Sequence, residues 1–316
     1  MTFHPNCLPD LTGKVYIVTG GTSGIGYHTV YNLAKHGAHV YICARNRDKG
    51  SAVISEIKAK APGVYISLLE IDHLSISSVV SAAKQFISKE SLLHGLINNA
   101  GIMATPFEMT PDGFEAQWQT NYLAHWVFTY YLLPLLLKTS KICRPGTVRI
   151  VNLASSGHFS APKGGIDFDD TSLQNETGMT RYGQSKLANV LHIKTLNKLY
   201  GPASPSSSAG NGEVWVSAVH PGLVDSNLGI RAVEIPKLMK IIISLYGALG
   251  GRTDADKGSW TSVFCAASPM MKQEQSGEYF QRIAEPGWQS KLAKDLNLAE
   301  KLEEWTYQKM EGGGWL

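Results

Sequence analysis

Two residues of the chain, Tyr182 and Lys186, have types and a spacing suited to moving a proton. On a helix, residues four apart share one face, so both side chains can reach the same ligand. The pKa of a free tyrosine is about 10, too high for an efficient base near neutral pH, and a neighbouring ammonium group lowers it. The spacing therefore predicts that Lys186 activates Tyr182 as a general acid or base. Such a pair also arises by chance, so the surrounding residues decide whether it is functional.

Two further polar residues supply that context. Ser155 follows the apolar run from Val148 to Leu153, which is typical of a buried strand. Because open α/β sheets bind ligands at the carboxyl ends of their strands, we expect the Ser155 hydroxyl to hold a substrate oxygen. Asn121 is a poor helix former inside a predicted helix, so it indicates a bend that exposes main-chain groups to an ordered water. A purely structural role for Asn121 stays open.

A glycine-rich turn follows the first predicted strand. The segment from Thr19 to Gly26 reads TGGTSGIG and runs directly into a predicted helix. A helix N-terminus offers unpaired N–H groups and the positive end of a dipole, and residues without side chains let a dinucleotide approach them closely. The spacing G-x-x-x-G-x-G differs from the common G-x-G-x-x-G pattern. We predict a pyrophosphate site formed by Gly20, Thr22, Ser23, Gly24, Ile25 and Gly26.

The ends of the next two strands predict how the adenosine half of a cofactor is held. Arg45 stands where an acid would bind the ribose 2′-hydroxyl of NAD. With help from Arg47, it would instead bind the 2′-phosphate of NADP, so we expect NADP(H) to be preferred over NAD(H). Asp72 is expected to accept a hydrogen bond from the adenine amino group. The alternatives, solvated arginines at a helix start and a helix N-terminal acid, stay open.

Short β-branched apolar runs alternate with amphipathic segments, a pattern that predicts a parallel sheet with helices on both faces. We expect one α/β domain over residues 1–316, with a mobile surface loop at residues 201–212, a C-terminal helix at residues 290–310 and a frayed glycine-rich tail. The predicted strands cover residues 15–19, 39–43, 65–70, 95–98, 148–153 and 214–219. The other predicted helices cover residues 24–36, 47–60, 75–89, 112–137, 180–200 and 254–267.

Composition narrows the function classes. A net charge of +3 over 316 residues is too small to indicate nucleic acid or an anionic membrane as the main partner. The four cysteines lie far apart, which indicates reduced thiols and no metal site. The N-terminus lacks the pattern of a signal peptide, and the apolar stretches 130–137 and 238–249 are shorter than the roughly 20 residues that span a bilayer. We expect a cytoplasmic protein without a transmembrane segment, and peripheral membrane contact stays open.

Together these motifs resemble the short-chain dehydrogenase/reductase family. The resemblance covers residues 14–280 and extends to NNAG (Asn98 to Gly101) and PGLVDS (Pro221 to Ser226). The CARN segment (Cys43 to Asn46) is most similar to the retinol-dehydrogenase-like branch. It implies a Rossmann-type doubly wound sheet of about seven parallel strands. The implied catalytic roles are Tyr182 as acid/base, Ser155 as carbonyl positioner, Lys186 on the nicotinamide ribose and Asn121 as holder of a relay water.

The same resemblance implies further contacts with the cofactor. Besides Tyr182 and Lys186, these contacts come from Asn99, Gly101, Pro221, Gly222, Val224 and Ser226. Alignment of the preceding strand favours Ser155 over Ser156 as the catalytic serine. His73 departs from the family pattern, in which an apolar residue often follows the adenine-binding Asp72.

The segment 223–252 is rich in apolar residues and, by the resemblance, forms a lid over the substrate. An apolar lid favours a hydrophobic small-molecule substrate, while packing on the sheet or at a dimer contact stays open. The sequence thus predicts an NADP(H)-dependent oxidoreductase that moves a hydride between nicotinamide and a hydrophobic ketone, aldehyde or secondary alcohol. A nicotinamide-dependent isomerase or epimerase and a non-catalytic NADP(H)-binding protein are the alternatives. Both a monomer and a homodimer fit.

Overall fold

One sheet of eight strands runs through the molecule. The structure is a computed structural model, and it describes residues 3–224, 233, 252–281 and 283–316. The strands are β1 (Val15–Thr19), β2 (His39–Ala44), β3 (Tyr65–Glu70), β4 (Gly95–Asn98), β5 (Arg149–Leu153), β6 (Trp215–His220), β7 (Tyr279–Gln281) and β8 (Glu285–Pro286). Their order is β3-β2-β1-β4-β5-β6-β7-β8. All neighbours are parallel except β7 and β8. This single-domain α/β architecture confirms the predicted doubly wound sheet.

Helices cover both faces of the sheet. The α-helices are α1 (Gly24–Lys35), α2 (Arg47–Lys60), α3 (Ile76–Lys89), α4 (Ala116–Trp118), α5 (Ala124–Ser140), α6 (Gly178–Tyr200), α7 (Pro205–Ser208), α8 (Ala255–Ala267) and α9 (Leu296–Gly312). Alternate residues of β1 belong to two separate hydrophobic cores. Ile17 packs in the core that includes α3, α5 and α6, whereas Val18 packs in the core that includes α1 and α8. Burial on both faces explains the continuous apolar runs in the strands.

The six strands located from the sequence are confirmed to within one residue. The structure adds β7 and β8, which are too short, at three and two residues, to give a clear pattern. The long helix expected over residues 112–137 is instead α4, a π-helical turn (Gln119–Leu123) and α5. The C-terminal helix begins later than residue 290, because the Asp295 side chain caps the first turn of α9.

The expectation of a frayed tail is wrong. Trp315 and Leu316 pack against the core, and the Tyr131 hydroxyl donates a 2.7 Å hydrogen bond to the Trp315 carbonyl oxygen. The indole supplies the apolar contact that three preceding glycines lack, so the end of the chain docks onto the fold. Most of the expected lid, including residues 225–232 and 234–251, lies outside the described residues, and its role stays a prediction.

The strand order reverses between β1 and β4, which are neighbours in the sheet. In open α/β sheets such a reversal leaves a crevice at the carboxyl ends of the strands, where ligands bind. The TGGTSGIG turn follows β1, NNAG includes the end of β4, Ser155 follows β5, and Pro221 follows β6. The fold therefore brings all four motifs to one edge of the sheet.

Candidate active site

The glycine-rich turn between β1 and α1 is a tight cradle. Gly20 and Gly24 have φ angles of +63° and +53°, a region that favours glycine. A Cβ atom on Gly26 would lie 2.3 Å from the Gly20 carbonyl oxygen, so the helix backbone packs directly on the turn. Ser23 is the N-cap residue of α1, but its side chain makes no capping hydrogen bond.

That missing cap distinguishes α1 from the other helices that follow a strand or loop, since α5, which also lacks one, continues a helical turn. In α2, α3 and α6 the side chain of the N-cap residue accepts a hydrogen bond from the first turn. In α1, N–H groups of the first turn remain without such an acceptor, and the positive end of the helix dipole lies at the same place. Thr22, Ser23 and Ile25 line this entry to the helix. The residues present fit an anionic group such as the pyrophosphate of a dinucleotide.

NNAG is bonded to the end of β1. The Thr19 hydroxyl accepts hydrogen bonds from the main-chain N–H groups of Asn99 (2.8 Å) and Ala100 (2.9 Å). The Asn99 side-chain amide donates to the Thr19 carbonyl oxygen at 2.7 Å. A Cβ on Gly101 would lie 3.5 Å from Lys186 Nζ, so this backbone passes close to the expected catalytic group. Sequence analysis missed the role of Thr19, although its position in the glycine-rich motif is a usable signal.

The residues expected around the adenosine lie at the ends of β2 and β3. Arg45 is exposed just beyond β2. Arg47 Nη1 lies 3.1 Å from Glu70 Oε1 in an exposed ion pair, which leaves Arg45 as the better candidate for a phosphate. Asp72 Oδ1 accepts a 3.1 Å hydrogen bond from the Leu74 N–H, as a residue that ends a strand and starts a turn does.

The segment after β6 turns at Gly222, whose φ is +88°. It begins at Pro221, and Val224 pairs with Thr253 in an isolated parallel bridge. A Cβ on Gly258 of α8 would lie 2.6 Å from Val224 Cγ2, so this segment is packed on α8. Ser226 lies outside the described residues, and its contact with a cofactor stays a prediction.

Tyr182 and Ser155 meet as the sequence predicts. Tyr182 is 4% exposed, and its phenol lies near the Ser155 side chain. Burial raises the pKa of Tyr182 to about 12, and the nearby Ser155 hydroxyl works in the opposite direction. A Cβ on Gly157 would lie 2.6 Å from Tyr182 Cε1, so the absence of a side chain at residue 157 makes room for the ring.

Lys186 lies near Tyr182 and hydrogen-bonds to the main chain of β5. Its Nζ lies 5.7 Å from the centre of the Tyr182 ring and donates a 2.6 Å hydrogen bond to the Leu153 carbonyl oxygen. Burial lowers the pKa of Lys186 to about 7. Burial thus shifts the pKa values of the two groups in opposite directions, and the expected lowering of the Tyr182 pKa by Lys186 stays a prediction.

Asn121 lies in the π-helical turn that precedes α5 and is fully buried. Its side-chain oxygen accepts from the Ile102 N–H (2.9 Å), and its amide donates to the Ile102 carbonyl (3.0 Å) and to Ser185 Oγ (2.9 Å). Because these bonds occupy the side chain, the main-chain carbonyl is the group that Asn121 can offer to a ligand. The irregular helix that the sequence predicts here is confirmed as a π-helical turn.

Apolar side chains surround the phenol. Tyr182 packs with Ala104 and Met179 in a small cluster, with Met103 against it. Ala104 has a φ of +47°, an uncommon conformation for a residue with a side chain, and its N–H donates to Gln117 Oε1 at 2.8 Å. The wall next to Tyr182 is thus apolar and fixed to the start of α4.

The fold and this site define a dinucleotide-binding α/β protein with a buried tyrosine, a buried lysine and a half-buried serine beside the nucleotide crevice. The model of the short chain dehydrogenase family matches residues 14–167. The short-chain dehydrogenase/reductase drtF of Aspergillus calidoustus is 49% identical over 308 residues, covering 97% of this chain and 96% of the relative. Human retinol dehydrogenase 12 is 36% identical over 296 residues, covering 93% and 85%.

Solved structures agree with these relatives. A crystal structure of an uncharacterized protein from Mycobacterium paratuberculosis matches with a TM-score of 0.72 at 26% identity, covering 98% of both chains. The chain belongs to the short-chain dehydrogenase/reductase family, whose members are oxidoreductases that bind nicotinamide cofactors. Within the part of the chain that the structure describes, no helix is both long and apolar enough to span a bilayer.

Proposed function

We propose that the protein is an NADP(H)-dependent oxidoreductase acting on a hydrophobic ketone, aldehyde or secondary alcohol. The observation that carries the proposal is the convergence of Tyr182, Ser155 and Lys186 beside the uncapped start of α1. A protein that only binds the nucleotide needs the α1 cradle but has no use for a buried phenol beside a serine hydroxyl.

The protein's own residues handle the proton. The nicotinamide, when bound, supplies or accepts the hydride at the carbon of the reacting carbonyl or alcohol. In reduction, Tyr182 donates its proton to the carbonyl oxygen, and in oxidation it accepts the proton of the alcohol. Ser155 Oγ, which lies near the same phenol, holds that oxygen in place.

Two further groups complete the proposed relay. Lys186 holds the nicotinamide ribose and returns the proton to Tyr182, and its lowered pKa of about 7 suits it to exchange protons near neutral pH. The main-chain carbonyl of Asn121 holds the water that connects Lys186 with solvent. This part of the proposal is supported by the saturated side chain of Asn121, which leaves its main chain as the available ligand.

The proposed preference for NADP(H) depends on Arg45. The residues that end β2 and follow it, Cys43-Ala44-Arg45-Asn46, contain no acid that could bind a ribose 2′-hydroxyl. An exposed guanidinium at this point suits a 2′-phosphate, because charge-assisted bonds of this kind are stronger than neutral ones. Asp72, with one carboxylate oxygen bonded to Leu74, is proposed to bind the adenine amino group with the other.

The apolar wall of Met103, Ala104 and Met179 beside Tyr182 supports a hydrophobic substrate. The name of a relative, retinol dehydrogenase 12, points to an apolar alcohol of the same chemical class. We propose a cytoplasmic location, supported by four unpaired cysteines, and either a monomer or a homodimer as the working unit.

A panel of ketones, aldehydes and secondary alcohols, assayed with each nicotinamide by absorbance of the reduced cofactor, tests the proposal. We expect consumption of NADPH or production from NADP with apolar members of the panel. An isomerase or epimerase would convert substrate without net change in free NADPH. A non-catalytic binding protein would bind NADPH and convert nothing.

A further inference from the structure

A buried histidine, His125, bonds to two parts of the site at once. It lies in the first turn of α5 and is 1% exposed. Its Nδ1 lies 3.0 Å from the Asn121 carbonyl oxygen, and its Nε2 lies 2.9 Å from Thr19 Oγ1. Thr19 in turn holds the main chain of Asn99 and Ala100. One imidazole therefore joins the π-helical turn to the end of β1.

The hydrogen-bond inventory fixes the tautomer of His125. A carbonyl oxygen only accepts, so Nδ1 must carry the proton that bonds to the Asn121 carbonyl. The Thr19 hydroxyl already accepts from two main-chain N–H groups, which occupy its two lone pairs. Its own proton therefore points to His125 Nε2, because the other acceptor in reach, the Ile97 carbonyl, is 3.5 Å away.

The surroundings keep this imidazole neutral. The pKa of His125 is held well below its usual range, first by burial and then by the positive charges that His73 and Lys186 would bring. The His73 ring lies edge-on to the His125 ring, with 4.9 Å between centres. A neutral ring with one donor and one acceptor is what the two partners require.

We propose that His125 is a positioning residue that holds the Asn121 main-chain carbonyl in the direction of Lys186. The proposal rests on the proposed function, in which that carbonyl binds the relay water. A carbonyl oxygen has two lone pairs, so the bond from Nδ1–H occupies one, and the proposal assigns the other to the water. Anchoring through Nε2 to Thr19 sets the height of the carbonyl relative to the nucleotide crevice.

Three substitutions separate this role from a structural one. His125→Asn keeps an N–H donor near the position of Nδ1, His125→Gln keeps a polar group near Nε2 only, and His125→Leu keeps apolar volume without either bond. We expect kcat to fall about 10-fold in the Gln and Leu variants and to stay within about 3-fold of wild type in the Asn variant, because a 10-fold change is about 1.4 kcal/mol, which one hydrogen bond can supply. KM and the Kd for NADPH should change by less than about 3-fold.

Thermal unfolding distinguishes a positioning role of His125 from a purely structural one. The small Asn side chain leaves a cavity, so His125→Asn should unfold at a lower temperature than His125→Leu even though it is the more active variant. If kcat instead follows the unfolding temperature, or if His125→Leu keeps full kcat, the positioning role is overturned. His192→Phe is the matched control, since His192 is also buried but contacts Asn152 and Tyr122. It should leave kcat unchanged, and an equal loss there would also overturn the proposal.

An NMR measurement tests the same idea without turnover. In the protein labelled with ¹⁵N-histidine, the His125 signals, assigned by their loss in His125→Asn, should show a protonated Nδ1 and an unprotonated Nε2. A protonated Nε2 would overturn the inference. Failure of the substrate panel together with the expected tautomer would count against the proposed function and leave the hydrogen-bond link standing.

Discussion

Lys186 Nζ donates a hydrogen bond of 2.6 Å to the main-chain carbonyl of Leu153, the last residue of β5. The bond ties α6, which carries Tyr182, to the strand that leads into Ser155. The same carbonyl accepts from the Asn189 amide one turn further along α6, at 3.1 Å. The phenol and the serine hydroxyl are thus held together by contacts between the two elements that carry them.

Burial of Lys186 gives a pH-dependent stability. Its pKa is about 7 in the folded chain, against 10.5 for a free lysine, so between these values the unfolded chain binds more protons than the folded chain. The free energy of unfolding must therefore rise with pH across this window. The penalty for burying Lys186 is complete below pH 7 and is lost as pH approaches 10.5.

Comparison with Lys186→Met isolates this penalty. Urea unfolding at several pH values from 6 to 10 should find Lys186→Met more stable than wild type at the acid end, with the difference shrinking as pH rises. Lys198→Met removes an exposed lysine from the same helix and controls for the change in net charge. A difference between wild type and Lys186→Met that is constant with pH would contradict the assignment.

Tyr182→Phe should abolish most turnover and leave nucleotide binding intact. The substitution removes the proton that the mechanism needs but keeps the ring that packs on Ala104 and Met179. General acid/base groups contribute about 10²-fold to 10⁴-fold to rate, so kcat should fall by that factor. The Kd for NADPH, measured by fluorescence titration, should stay within about 3-fold. Tyr200→Phe, at the far end of α6, is the control, and retained activity in Tyr182→Phe would rule out the assigned role.

Arg45→Asp should reverse the choice of cofactor. The new carboxylate repels a 2′-phosphate and can accept a bond from a ribose hydroxyl, so the ratio of kcat/KM for NADPH over NADH should fall about 10-fold to 100-fold. Arg47→Asp is the matched control, because Arg47 already pairs with Glu70. An unchanged ratio in Arg45→Asp, or an equal shift in Arg47→Asp, would show that Arg45 does not read the phosphate.

The sheet could be predicted from the sequence because its strands are buried on both faces. Each strand then appears as a short continuous apolar run, as in β1 and β5, and the glycine-rich turn marks the first crossover. The strands β7 and β8 could not be predicted, because runs of three and two residues are too short to show a periodic pattern. The docking of the C-terminal residues could not be predicted, because it depends on a contact between Trp315 and Tyr131, which is nearly two hundred residues away in the chain.

The candidate site also has features that the sequence predicts and features that it does not. Residue types and spacing, together with the family resemblance, predict roles for Tyr182, Ser155, Lys186 and Asn121. They do not give burial, and burial determines both the raised pKa of Tyr182 and the lowered pKa of Lys186. Nor could the link from His125 to Thr19 be predicted, since it joins residues 106 positions apart that only the sheet topology brings together.

Gly157→Ala tests how closely the phenol must be placed. An added Cβ would lie 2.6 Å from Tyr182 Cε1 and 3.3 Å from Ser155 Oγ, so the ring must move. Because Ala104 and Met179 enclose the ring, the movement displaces the phenol hydroxyl from its place beside Ser155. A displacement of about 1 Å at a reacting group costs about 10²-fold in rate, and we expect kcat to fall by 10-fold to 100-fold with little change in the Kd for NADPH.

The matched control is Gly312→Ala, at the end of α9, where an added Cβ would meet no atom within 4 Å. Steady-state kinetics and fluorescence titration of the two variants separate the outcomes. Full kcat in Gly157→Ala would mean that the phenol tolerates displacement and does not transfer the proton directly. Loss of NADPH binding in Gly157→Ala would instead place residue 157 in the nucleotide crevice. The displaced Tyr182 ring would then have moved into the space of the cofactor.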